Sequence, residues 1–232
     1  MAYRSVNPAT GEVLKDFPQH TDEQMWDALA TADKAFRSWG SRPISERPKI
    51  IARSAQILLE GKEELARLAT LEMGKRIAES RSEVELSASI LQYFADKAGV
   101  FLAPKKLDTA MGDARLVYSP FGVLLSIQSW NYPYYQLARF AGPHLMSGNV
   151  MLVKHAPGVP QCALDFERVL RLAGVPKGVY TNLFLSNDQS GVSDRRPASE
   201  GYRSHRIRTR GRGTGVTRGE EPKEIDDGAR RQ

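Results

Sequence analysis

Cysteine is nearly absent. Cys162 stands alone among 232 residues, which excludes an internal disulfide and suits a reducing, cytoplasmic setting. No run of about 18 apolar residues occurs, so the sequence predicts no membrane-spanning helix and no membrane partner. The opening residues 1–12 lack the apolar core of a secretory signal. Histidine is scarce too. His144 falls inside a predicted helix and His155 in a loop, neither with a second ligand at metal spacing, so no metal site is expected. Charge of one sign is modest: of the net +6, about half comes from residues 188–232, with 11 Lys+Arg against 8 Asp+Glu. The remainder is only mildly basic, which bears on solubility rather than on a nucleic-acid partner. What the chain does have is apolar residues, 41% of the total, enough for a real core.

The pattern divides the chain in two. Residues 1–20 suit an extended arm, with Pro8 and Gly11 turning between two apolar ends. Thr21 opens a helix with Gln24 at capping-box spacing, and Gly40 ends it. Helices follow from Glu46-Arg47-Pro48 to Gly61, from there to Gly74, and over roughly Arg76–Phe101. The period then changes. Arg115–Tyr118, Ser119–Gly122 and Val123–Ile127 look like strand, turn and strand. Two βα repeats come next, Val123–Ile127 with helix Pro133–Met146 and Val150–Lys154 with helix Pro160–Ala173, before a third strand at Val179–Leu185. Continuous apolar strands alternating with amphipathic helices indicate an α/β fold with a parallel sheet covered on both faces.

Within this frame Ser126–Lys154 is a βαβ unit with polar residues gathered where its strands end. Ligands of open α/β sheets bind outside those carboxyl ends. Asn131 and Lys154 are therefore the first candidates for function, although an Asn after a strand is more often a turn residue and a Lys ending a strand is more often solvated.

Residues 188–232 differ in kind. They contain no Leu, Phe, Met or Trp, and such a segment cannot offset the entropy of ordering it. The expected organisation is a folded part over residues 1–187 and a disordered tail over 188–232.

Five motifs in order then carry a resemblance: Asn7-Pro8-Ala9-Thr10-Gly11-Glu12, Glu72-Met73-Gly74-Lys75, Trp130-Asn131-Tyr132-Pro133, Gly148-Asn149 and Leu152-Val153-Lys154. Over about residues 5–188 the chain resembles the N-terminal part of an aldehyde dehydrogenase. Val153-Lys154-His155-Ala156-Pro157 and the stretch Val159–Leu164 are closest in flavour to its succinate-semialdehyde branch. The resemblance implies an incomplete Rossmann-like fold and oxidation of a small aldehyde with NAD or NADP. It also implies homo-oligomers and a cysteine thiolate that attacks the carbonyl. Asn131 matches the residue whose amide donates to the developing oxyanion, a contact typically worth about 2.7–4 kcal/mol. Lys154 matches the ligand of the adenosine ribose, while Ile127 and Trp130 match positions lining the cofactor site. Two departures stand out. Ser129 replaces the proline usual before the tryptophan. Pro157 occupies a place where a carboxylate would select the unphosphorylated ribose, so NAD against NADP stays open.

Several features mimic function. Cys162 lies on a predicted helix, where a buried thiol is the ordinary reading, and the family's nucleophile lies far downstream. Gly211–Gly215 has the composition of a phosphate loop without a preceding strand. The Arg203–Arg212 cluster suits a nucleic-acid arm but lacks aromatic interleaving beyond Tyr202. Alternatives to catalysis are such a basic-tail binder, or an interaction fragment pairing with an intact homologue through the Arg115–Ile127 strands.

The genetic code accounts for the tail better. With permitted codons, Gly201–Gly211 read one nucleotide later can give Gly-Ile-Ala-Val-Thr-Gly-Ser-Glu-Arg-Ala-Gly. Glu220–Arg231 can give Lys-Asn-Leu-Lys-Lys-Ser-Thr-Met-Glu-Leu-Gly-Gly. These resemble the family's cofactor-phosphate turn and the segment carrying its general base. A change of frame near Asn187–Gly191 is expected, which leaves this chain without nucleophile or base and inactive alone. Sequencing the coding DNA tests it: the shifted codons should spell both segments, and any other spelling rejects the frame change.

Overall fold

A computed structural model describes residues 3–110, 112–192 and 208–209. The N-terminal arm is a hairpin of β1 (Tyr3–Val6) and β2 (Val13–Phe17). Four helices follow: α1 (Asp22–Ser41), α2 (Arg47–Glu60), α3 (Lys62–Met73) and α4 (Ile77–Phe101). A second hairpin, β3 (Lys105–Leu107) with β4 (Ala114–Leu116), leads into β5 (Val123–Ile127). The chain then runs through α5 (Pro133–Met146), β6 (Val150–Lys154), α6 (Pro160–Leu172), β7 (Tyr180–Asn182), α7 (Asn187–Val192) and β8 (Arg208–Thr209).

Local chemistry accounts for the helix boundaries. The Thr21 hydroxyl accepts from the Gln24 N–H while the Gln24 side chain accepts from the Thr21 N–H, the reciprocal cap anticipated from spacing. Gly74 adopts φ +82° to end α3, and Pro8 sits where its Cβ would be, so only glycine fits. The sheet β7-β6-β5-β8 is parallel throughout, as the apolar strand runs suggested. Its core of Val123–Leu125 and Val150–Val153 is buried, with α1 and α5 against these central strands and α6 against β7.

The strand expected at Arg115–Tyr118 is observed as the shorter β4, and it pairs with β3. Both edges of β5 already hold parallel partners, β6 and β8, so a returning antiparallel strand has no place there. The sequence Lys105-Lys106-Leu107 gave no strand signal because its residues are exposed and polar-rich. Ser186 and Gln189 form a second capping box, and Gln189 reaches back to the His20 carbonyl and Asp22, so α7 belongs to the folded part. Most of the segment expected to be a disordered tail, including Arg203–Arg206 and Gly211–Gly215, lies outside the described residues. Among the described residues no helix is long and apolar enough to cross a membrane.

One buried cation locks this body together. The Arg47 guanidinium donates to the carbonyls of Trp39, Gly40 and Arg42 at the end of α1, and to Met146 at the end of α5, at 2.7–3.2 Å. It thereby meets carbonyls at two helix C-termini, where positive charge is favoured; the Trp39 carbonyl also accepts the Arg42 N–H. Removing it by Arg47→Met leaves buried carbonyls without donors, which should cost about 3 kcal/mol or more. Arg53→Met breaks only the exposed pair with Glu60 and should cost under about 1 kcal/mol. Urea midpoints of the two variants check the contrast.

Candidate active-site wall

Ile127 and Lys154 end β5 and β6 in register with each other, and the Gln128 N–H donates to the Lys154 carbonyl at 2.9 Å. Trp130 and Asn131 occupy the loop that follows β5, both exposed. All four predicted residues thus lie at the carboxyl edge of the sheet. The Ser129 hydroxyl donates to the Asn131 Oδ1 at 2.9 Å. That contact occupies the amide oxygen and leaves the Nδ2 hydrogens as its outward donors. The serine at the unusual position is therefore what orients the amide.

Lys154 is 5% exposed, and its Nζ lies 6.0 Å from the centre of the Tyr3 ring. Among the described residues it has no carboxylate within ion-pair distance, and burial pulls its pKa below the ordinary lysine value. The hairpin closes this side: the Tyr3 hydroxyl donates to the Leu185 carbonyl at 2.9 Å, and the Arg4 N–H to Pro157 at 3.1 Å.

Two carboxylates hold the helices behind this edge. Both α5 and α6 begin with proline and have no side-chain cap of their own. Glu83 of α4 accepts from the Tyr134 and Tyr135 N–H groups at 2.8 and 3.1 Å. Glu72 of α3 accepts from the Gln161 and Cys162 N–H groups at 3.0 and 2.9 Å. Each takes two orphan donors of a first helical turn. Burial raises the Glu72 pKa against these stabilising bonds. Glu83 also pairs with the buried Lys75, whose Nζ sits 4.0 Å from the Tyr132 ring centre. A cleft of about 360 Å³ between α4 and Tyr132 runs past Glu79, Ser82, Glu83 and Leu86.

Glu72 heads one of the five motifs but was given no role from the sequence, and Glu83 was not singled out. The signal was there: each is an acid on a stripe of buried small and apolar residues, Leu65, Ala66 and Ala69 for Glu72, and Val84, Ser87 and Ala88 for Glu83. Cys162 is buried in α6, and burial pushes its thiol pKa well up, a setting opposed to thiolate chemistry. No cluster of metal-ligating side chains occurs among the described residues.

A family model described as "Aldehyde dehydrogenase family" matches residues 1–193. A succinate-semialdehyde dehydrogenase [NADP(+)] of Deinococcus radiodurans is 48% identical over 183 residues, covering 79% of this chain and 38% of that protein. A probable succinate-semialdehyde dehydrogenase [NADP(+)] of Synechocystis is 38% identical, covering 80% and 41%. Among solved structures, succinic semialdehyde dehydrogenase from Streptococcus pyogenes in complex with NADP+ superposes with a TM-score of 0.80 at 37% identity, over 83% of this chain and 42% of that one. The chain spans about two fifths of the length of these relatives.

His155 ties the two halves of the wall together. Its Nδ1 accepts from the Ala156 N–H at 2.8 Å, so Nε2 carries the proton and donates to the Pro133 carbonyl at 3.1 Å. Complete burial lowers its pKa from 6.5 to about 4. Between those values the unfolded chain binds a proton that the folded chain refuses. Stability should be unaffected by His155 above pH 6.5 and fall as pH drops from 6.5 to 4, by on the order of 3 kcal/mol. Glu72 and Glu167, with raised pKa values, work in the opposite sense, so the comparison needed is wild type against His155→Gln. The variant's urea midpoint should decline less steeply over that range.

Proposed function

Because the chain belongs to the aldehyde dehydrogenase family, we propose that residues 1–192 form one wall of the active site of an NADP-dependent succinate-semialdehyde dehydrogenase. The observation that carries this is the carboxyl edge of the sheet, where an oriented amide lies in the loop after β5 and a buried ammonium, with no carboxylate within ion-pair distance among the described residues, ends the neighbouring β6. Asn131 supplies the oxyanion donor, with Ser129 turning its Nδ2 outward. Lys154 supplies a donor to the adenosine ribose, beside Ile127 and Trp130. No Asp or Glu lies between His155 and Leu164, so nothing in that loop repels a phosphorylated ribose. The relatives named for NADP(+) favour the same choice.

The fit to the nucleotide is partial. The ammonium suits a ribose and the amide a carbonyl oxygen, whereas the N–H groups opening α5 and α6 are already taken by Glu83 and Glu72. The nucleotide's phosphates therefore need another anchor, which we place in the shifted frame of the tail. When bound, the nucleotide accepts hydride. This chain's residues orient the aldehyde oxygen and hold the ribose, while Cys162, the only thiol, stays buried in α6.

A second reading, association with an intact homologue, is supported by the β3–β4 hairpin. It exposes Leu107 and Leu116, with Val117 and Tyr118 following. Co-purification with a full-length dehydrogenase tests it.

The 232-residue protein should not reduce NADP+ with succinate semialdehyde. Correcting the frame by one nucleotide should restore turnover, and Asn131→Ala should then lower kcat by about 100- to 1000-fold. Reduction by the uncorrected chain that is lost on Asn131→Ala overturns the proposal.

A further inference from the structure

We infer that Lys75 and Glu83 are positioning residues for the Trp130–Asn131 loop, an inference that rests on the proposed role of Asn131. The loop has few fixed points. Behind it, Gln128 is bonded through its N–H to Lys154 and through its side chain to Ser126. Ahead of it, Tyr132 lies against the Lys75 ammonium, and the next two free N–H groups are both accepted by Glu83 Oε1. Only Ser129, Trp130 and Asn131 span the gap.

The two oxygens of Glu83 divide the work. Oε1 takes the helix N–H groups while Oε2 takes Lys75, so one buried carboxylate links the cap of α5 to the cation that seats Tyr132. Lys75 and Glu83 are 8% and 2% exposed, so water competes little for either bond. Lys75 is itself aimed by Gly74, whose left-handed backbone packs on Pro8. Glu72 makes the same double contact to α6 but reaches no loop residue corresponding to Tyr132. It is a built-in control. A merely structural role predicts the same response at both glutamates, whereas a positioning role predicts a response at the loop from Glu83 alone.

The test uses the 232-residue protein labelled with 5-fluorotryptophan, whose three tryptophans give separate 19F lines at Trp26, Trp39 and Trp130. Glu83→Gln keeps an oxygen for the helix N–H groups and loses the partner of Lys75. Its Trp130 line should shift or broaden while Trp26 and Trp39 stay in place. Glu72→Gln should leave the Trp130 line where it was. If Glu83→Gln does not fold, the double variant Lys75→Met, Glu83→Gln leaves no unpaired buried charge and should show the same selective change. An unmoved Trp130 line in a folded variant overturns the inference, as does a common displacement of all three lines in both glutamate variants. No nucleotide or aldehyde enters this readout. The role of Asn131 fails separately, if the frame-corrected enzyme keeps its turnover on Asn131→Ala.

Discussion

The carboxyl edge of the sheet depends on how the first turns of α5 and α6 are satisfied. A helix leaves its first N–H groups without partners, and proline at the first position, with no side-chain cap, leaves the next two to be met from elsewhere. Glu83 and Glu72 meet them from α4 and α3. The helical half of the chain is therefore joined to the sheet half by charged hydrogen bonds as well as by apolar packing. Such bonds are stronger than neutral ones and demand particular geometry, so they fix where each crossover helix starts. Asn131 and Lys154 lie just ahead of those starts.

The opposite end of α5 is held in a complementary way. Arg47 meets the carbonyl end of α5 and of α1, and the Trp39 indole N–H adds a bond to the Leu145 carbonyl at 3.1 Å. A carboxylate at the positive end and a guanidinium at the negative end both favour the helix dipole. Between the two strands, Asn149 Oδ1 accepts from the N–H groups of Phe121 and Gly122, joining the start of β6 to the start of β5. Gly148 lies so close to the Arg47 guanidinium that a side chain there would displace it. The Gly148-Asn149 pair thus serves the scaffold directly.

Much of this was legible in the residues. Periodicity gave the helices and the parallel sheet, and Thr21 with Gln24 gave the first cap. The resemblance singled out Ile127, Trp130, Asn131 and Lys154, which the fold gathers at the carboxyl edge of the sheet. What escaped notice were interactions between residues distant in sequence. Ser186 and Gln189 repeat the Thr21–Gln24 pattern, yet Gln189 sits in a segment judged by its poverty of apolar residues. The β3–β4 pairing was missed because two three-residue, largely exposed strands carry almost no alternation. The capping roles of Glu83 and of Glu72, which was noted only as part of a motif, were missed because acids on a helix usually face water, and only their place on a buried stripe argued otherwise.

The central proposal is that this chain carries the orienting wall of a dehydrogenase site without its nucleophile. Cys162 is the one thiol that could contradict it. The most direct measurement is the reaction of the native 232-residue protein with a chromogenic disulfide reagent, compared with the same protein in denaturant. A thiol buried in α6 should react only after unfolding, giving one equivalent in denaturant and no fast phase in the native state. Rapid stoichiometric labelling of the native protein would mean that Cys162 is open and activated, and the chain would then hold a nucleophile of its own.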